Sequence, residues 1–156
     1  KNGTILVVGS ENPWIEACIL AAGAKHVTTI EYGAINNYHH QISTLIPDQA
    51  RDMYHKNTLG LFDVIVSFSS VEHSGLGRYG DALNPWGDLQ AVARMWCVCK
   101  PGGYLLLGVM EGKDTIVWNA HRQYGNIMFP HLVANWEQKW RDGHLPQRVY
   151  VFQKKS

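Results

Sequence analysis

The sequence predicts an α/β fold, a three-layer sandwich built on a mostly parallel sheet that closes with a C-terminal antiparallel hairpin. Three observations predict it. Thr4–Val8 is a short, continuous, largely β-branched apolar run, which suits a strand covered by helices on both faces, and Phe62–Phe68, built around Val64-Ile65-Val66, is the best strand in the chain. Strand, helix and strand follow one another within about 30 residues, the repeat of a parallel sheet. Polar and ionisable residues gather just after the strands, where ligands bind in open parallel sheets. The expectation is a Rossmann-like architecture.

The elements follow in order. Thr4–Val8 forms the first strand and ends at Gly9. Asn12-Pro13 starts a helix to about Ala22, with Asn as N-cap, Pro at the first helical position and Gly23 as its stop. His26–Ile30 is the second strand, Gln41–Leu45 a weak third, and Pro47 opens a helix through about Lys56. Phe62–Phe68 is the fourth strand, and a glycine-punctuated loop from Gly75 to Gly87 leads to a helix over Asp88–Cys99. Lys100-Pro101-Gly102-Gly103 reads as a turn before a fifth strand, Tyr104–Val109. Tyr124–Ala134 reads as a helix with Pro130 inside it. Trp136–Arg141 and Arg148–Gln153, joined by Gly143-His144-Leu145-Pro146, read as the closing hairpin.

Composition narrows the classes. At 156 residues the chain is expected to be one domain spanning 1–156. Apolar residues at 46% and charged residues at 17% describe a globular chain. A net charge of +1 gives no footprint for nucleic acid, and no apolar run reaches the roughly 18 residues of a membrane segment. Cys18, Cys97 and Cys99 make no disulfide framework or zinc spacing, and Cys97 and Cys99, two apart on a helix, do not face each other. Free thiols are expected. Localisation is cytoplasmic by default, with a secretory lumen open if an anchor preceded Lys1. Asn2-Gly3-Thr4 matches a glycosylation acceptor but abuts a strand.

Glu31 ends the second strand about 20 residues after the first turn, where a carboxylate accepts hydrogen bonds from ribose hydroxyls; an exposed strand-end carboxylate is the plain alternative. The first turn reads Gly9-Ser10-Glu11-Asn12-Pro13-Trp14. It lacks the glycines that bring backbone amides to a pyrophosphate, and Glu11 beside the helix start repels phosphate. A nucleoside without phosphate therefore fits better than NAD. Gly75-Leu76-Gly77-Arg78-Tyr79-Gly80 has dinucleotide spacing without its context. It reads as a substrate-covering loop, with Arg78 toward an anionic or hydroxyl-rich substrate, or as a tight surface loop. Glu72, His73, Asp81 and Asp88 are residue types that could hold a divalent cation, but their spacing matches no dedicated metal motif, so no metal is expected.

Phe62-Asp63-Val64-Ile65-Val66-Ser67-Phe68-Ser69-Ser70-Val71-Glu72-His73, with Leu89–Arg94 and Lys100-Pro101-Gly102-Gly103 before an apolar strand, resembles the second half of a class I S-adenosylmethionine-dependent methyltransferase. More narrowly, Glu72–Asp81, Asn84–Leu89 and Trp118–Gly125 resemble the domain-of-unknown-function 268 family over nearly the whole chain. The chain departs from the superfamily's Gly-x-Gly-x-Gly first turn. The resemblance implies a methyltransferase-like fold and S-adenosylmethionine as cofactor, held by Gly9, Ser10, Pro13, Trp14, Glu31, Tyr32, Ser69 and Val71. The acceptor, a hydroxyl-bearing small molecule or a glycan, then falls to Glu72, Arg78, Tyr79, Asp81, His121, Arg122 and Tyr124. His73 is the candidate general base, since imidazole titrates near neutrality; a loop-holding hydrogen bond is its plain alternative. Other readings are a non-catalytic methyltransferase-like binding domain and an NAD-linked oxidoreductase, the latter disfavoured by the first turn.

Overall fold

The computed structural model describes residues 3–37, 39–144 and 146–155; Asn2 of the glycosylation motif and Leu145 of the hairpin turn lie outside them. Seven strands form one sheet in the order β3-β2-β1-β4-β5-β9-β8. Strands β1 (Ile5–Val8), β2 (Val27–Ile30), β3 (Ile42–Leu45), β4 (Phe62–Phe68) and β5 (Cys99–Met110) run parallel. β8 (Trp136–His144) and β9 (Gln147–Lys154) pair antiparallel, and β9 closes on β5.

Alternation along each strand builds two cores, because successive residues point to opposite faces. On one face Val7 and Val27 pack with Ile15, Ile19 and Leu20 of α1 (Trp14–Ala21). On the other, Leu6, Ile65 and Leu105 pack with Val92, Met95 and Val98 of α3 (Gly87–Val98) and Leu132 of α4 (Met128–Leu132). α2 (Pro47–His55) lies on this second face through Ala50. The predicted three-layer α/β sandwich is thus the observed one.

Four local expectations change. Asn12 makes no side-chain cap; the helix begins at Trp14, and the Asn12 carbonyl accepts from Ser10 Oγ at 2.8 Å. Lys100–Gly103 is no separate turn: β5 starts at Cys99, paired with Phe62, and the chain bulges before Val64 meets Tyr104. Gly102 takes φ 72° there, which glycine adopts without steric cost. The helix expected over Tyr124–Ala134 shrinks to Met128–Leu132. Its upstream half instead joins β7 (His121–Gln123), which pairs with β6 (Thr115–Val117) in a two-stranded ribbon absent from the sequence reading. Asp114 fixes this change, its carboxylate accepting from the amides of Gly125, Ile127 and Met128 at 2.8–3.0 Å.

Candidate active site

The first turn is held from below. Gly9 sits at φ 77° and donates its amide to the Ile30 carbonyl at 3.0 Å. A Cβ here would lie 1.8 Å from Ser70 Oγ, so β1 and the end of β4 meet because residue 9 has no side chain. Glu16, fully buried at the start of α1, accepts from Thr29 Oγ1 at 2.7 Å and lies 3.0 Å from Ser10 Oγ, whose single proton it shares with the Asn12 carbonyl. That carboxylate ties β1, α1 and β2 together without the glycines a dinucleotide turn needs. The sequence reading missed it, because its one signal was an acid in an otherwise apolar helix.

Glu31 closes the same turn. Its Oε2 accepts from the Ser10 amide at 2.7 Å and its Oε1 from the Tyr32 amide at 2.6 Å. An ionised carboxylate offers about four acceptor positions, so each oxygen keeps one for a ligand. A cleft of about 470 Å³ opens above it, lined by Gly9, Ser10, Trp14, Glu31, Tyr32, Ser69, His73, Tyr79 and Asp81 among others. The Trp14 ring stands edge-on to Phe68, centroids 5.6 Å apart. A second, more apolar recess of about 440 Å³ runs beneath, between α2 and α3 and over Leu6, Val8 and Ile30. The two meet at Gly9, Glu31, Tyr32, Ser70 and Ser74.

His73 enters the cleft from a 3-10 turn, Val71–His73, just past β4. Ser69 precedes that turn at φ 51°, a conformation non-glycine residues rarely adopt, and such residues cluster at functional sites. His73 Nδ1 lies 2.5 Å from the Ala120 carbonyl. A carbonyl only accepts, so Nδ1 carries a proton, and in the neutral ring the lone pair is then on Nε2. The rings of Tyr79 and His121 stand perpendicular to it, at 5.6 and 6.3 Å.

Not every expected site residue reaches the cleft. Arg122 is buried: its guanidinium donates to the Ser74 carbonyl at 2.6 Å and the Pro85 carbonyl at 3.3 Å, and faces Asp88 at 3.5 Å. Tyr124, also buried, donates its hydroxyl to Asp88 at 3.0 Å, and burial raises its pKa. Both hold the loop rather than face a ligand. Val71 lies in the core. Glu72 is fully buried, and neither carboxyl oxygen has a hydrogen-bond partner. Burial pushes its pKa above the usual glutamate value, outweighing the lowering pull of its own backbone amide and of nearby His73, Ser69 and Gln147. Asp81 lines the cleft but also organises the glycine loop, accepting from the amides of Gly75 at 2.6 Å and Tyr79 at 3.3 Å. Pro13, Arg78 and His121 stand outside the lining. Ser70, Ser74 and Phe68 belong to it and were not singled out from sequence. Among the described residues no three His, Cys, Asp or Glu converge as a metal site.

A parallel sheet with its seventh strand reversed, and a cleft over the ends of β1, β2 and β4, is the class I methyltransferase fold. Solved structures agree. Burkholderia thailandensis 1,6-didemethyltoxoflavin-N1-methyltransferase, crystallised with 1,6-didemethyltoxoflavin and S-adenosylhomocysteine, matches with TM-score 0.71 at 12% identity, over 100% of this chain and 72% of that one. The N-methyltransferase NodS from Bradyrhizobium japonicum WM9 matches at 0.68 and 18% identity, over 98% and 86%. The PH0226 protein of Pyrococcus horikoshii OT3 matches at 0.70 and 13%, over 99% and 83%. The chain itself belongs to the family described as "Caenorhabditis protein of unknown function, DUF268", whose model matches residues 1–142. No curated protein matches it significantly.

Proposed function

We propose that the chain is an S-adenosylmethionine-dependent methyltransferase acting on a hydroxyl group of a small molecule or sugar. One observation carries the reading: a single cleft joins a carboxylate suited to ribose, Glu31, to an imidazole fixed in the tautomer a general base requires, His73. The residues fit the cofactor. Glu31 has acceptor positions left for both ribose hydroxyls, and the apolar recess beside Tyr32 suits a flat base. Glu11 at the helix start disfavours a pyrophosphate and is compatible with a positively charged ligand.

When bound, S-adenosylmethionine supplies an electrophilic methyl group on a sulfonium. His73 accepts the hydroxyl proton at Nε2 as the acceptor oxygen becomes a nucleophile. Its Nδ1–H stays on the Ala120 carbonyl, so the imidazolium keeps its orientation and part of its charge is shared with that oxygen. Tyr79, whose ring stands beside His73, and Asp81 line the same cleft and orient the acceptor, and holding the reactants in line supplies much of the remaining acceleration.

Calorimetric titration with S-adenosylmethionine and with NAD is the first test, followed by labelled methyl donor on panels of hydroxylated sugars and of amines. The amines are included because two structural relatives are N-methyltransferases by name. Binding of S-adenosylmethionine and labelling of a hydroxyl support the reading. Labelling of amines alone replaces the acceptor chemistry, and tighter binding of NAD replaces the class. Binding of neither leaves a non-catalytic methyltransferase-like domain.

A further inference from the structure

Among the described residues the five most exposed large apolar side chains are Trp118, Ile127, Leu83, Ile116 and Trp86, from 72% down to 60% exposed. All five lie on two neighbouring segments, 83–86 and 116–127, and the first follows directly on half-exposed Tyr79, which lines the cleft. Direct bonds join the two segments. Arg78 donates to the Asn119 carbonyl at 3.4 Å, Arg122 to the Pro85 carbonyl, and His73 to the Ala120 carbonyl. Every residue of β6 is exposed, although a two-stranded ribbon alone in water is marginal. So much apolar surface in one place marks an interaction site.

Its chemistry selects the occupant. A carbohydrate platform presents aromatic rings among polar groups; here Leu83, Ile116 and Ile127 are aliphatic. The acids of these segments turn inward: Asp81 and Asp114 to backbone amides, Glu111 to Arg148, Asp88 to Arg122. The charges left exposed on the same segments are the cations Arg78 and Lys113, which have no acidic partner among the described residues. An exposed apolar surface carrying two tryptophans, with cations on the same segments, is the composition that settles at a membrane–water interface. No described helix is long and apolar enough to cross a membrane, so the contact is peripheral.

We infer that this rim docks the chain on a phospholipid surface, with Trp118 and Ile116 inserted among the acyl chains and Arg78 and Lys113 at the headgroups. Insertion dominates, because the inward acids nearly balance the cations in formal charge; salt weakens the binding only modestly. The docked cleft faces the bilayer. Under the proposed methyl transfer, on which this one consequence rests, the acceptor hydroxyl is carried by an amphiphile held in that surface.

The test is co-sedimentation of the 156-residue chain with phosphatidylcholine vesicles, alone or mixed with phosphatidylserine, beside sedimentation velocity without lipid. It needs no methyl transfer, so its failure is distinct from failure of the proposed activity. Wild type is expected to bind both vesicles, the mixed ones more tightly. Ile116→Ser/Trp118→Ser should bind at least about tenfold more weakly, as for withdrawing large apolar side chains from burial, with an unchanged circular dichroism spectrum. Trp140→Ser, on exposed β8, should bind as wild type. Absence of vesicle binding overturns the inference, as does equal binding by the double variant. Self-association that the double variant abolishes, without vesicle binding, makes the rim a protein interface instead.

Discussion

Replacing Gly9 with alanine tests the contact on which the cleft is built. At φ 77° an L-residue pays a left-handed penalty of about 1–2 kcal/mol. The new Cβ would also lie 1.8 Å from Ser70 Oγ and 2.3 Å from Ser70 Cβ, an overlap of the kind that costs about 1–3 kcal/mol in a packed site. The expected loss is therefore about 2–5 kcal/mol in urea unfolding at constant m-value. The two contributions separate by partner. Ser70→Ala keeps the Cβ at 2.3 Å and should leave the loss in place. Ser70→Gly leaves only the Cα, at an ordinary 3.7 Å, and should recover the overlap part while the backbone penalty persists. In a double-mutant cycle the Gly9→Ala/Ser70→Gly coupling is then about 1–3 kcal/mol and the Gly9→Ala/Ser70→Ala coupling near zero. A Gly9→Ala loss below about 0.5 kcal/mol, the usual effect of a surface substitution, would refute the reasoning, as would equal rescue by both partners.

Glu31→Gln should weaken S-adenosylmethionine binding by about 1.5–3 kcal/mol, the range for hydrogen bonds to a charged group; calorimetry showing unchanged affinity would remove Glu31 from the cofactor site. His73→Ala should lower turnover about 10²–10⁴-fold with cofactor affinity retained, read by single-turnover labelling once an acceptor is known. Arg122→Ala should cost about 3–5 kcal/mol of stability, because it strands buried Asp88; a folded variant of normal stability with only a raised acceptor KM would return Arg122 to the substrate. Burial raises the Glu72 pKa, so the folded state holds that proton more tightly than the unfolded chain. The associated stability is complete below the ordinary glutamate range and is lost as pH rises through the raised value. Glu72→Gln should match wild type at low pH and exceed it at neutral pH in urea midpoints, and parallel pH profiles would contradict this.

The strands of the seven-stranded sheet and their order of appearance were legible because their signals are local. Phe62–Phe68 carries the β-branched apolar centre Val64-Ile65-Val66 whatever surrounds it, and its observed bounds are the predicted ones. Glu31 was legible for the same reason: a carboxylate directly after a strand must emerge at the sheet's end, and it lines the cleft. Glu72 and Arg122 looked equally functional in sequence, yet both side chains are buried. Whether a polar side chain turns inward depends on partners far along the chain: Arg122 is held by carbonyls of residues 74 and 85, nearly 50 and 40 positions away. Asp114 likewise shortened an expected helix by taking three amides from across a loop. The sequence by itself determined the α/β class, the strands of the seven-stranded sheet and the chemistry available at their ends. Tertiary structure alone decided which of those groups face the cleft, because that choice rests on long-range hydrogen bonds and burial, for which periodicity carries no record.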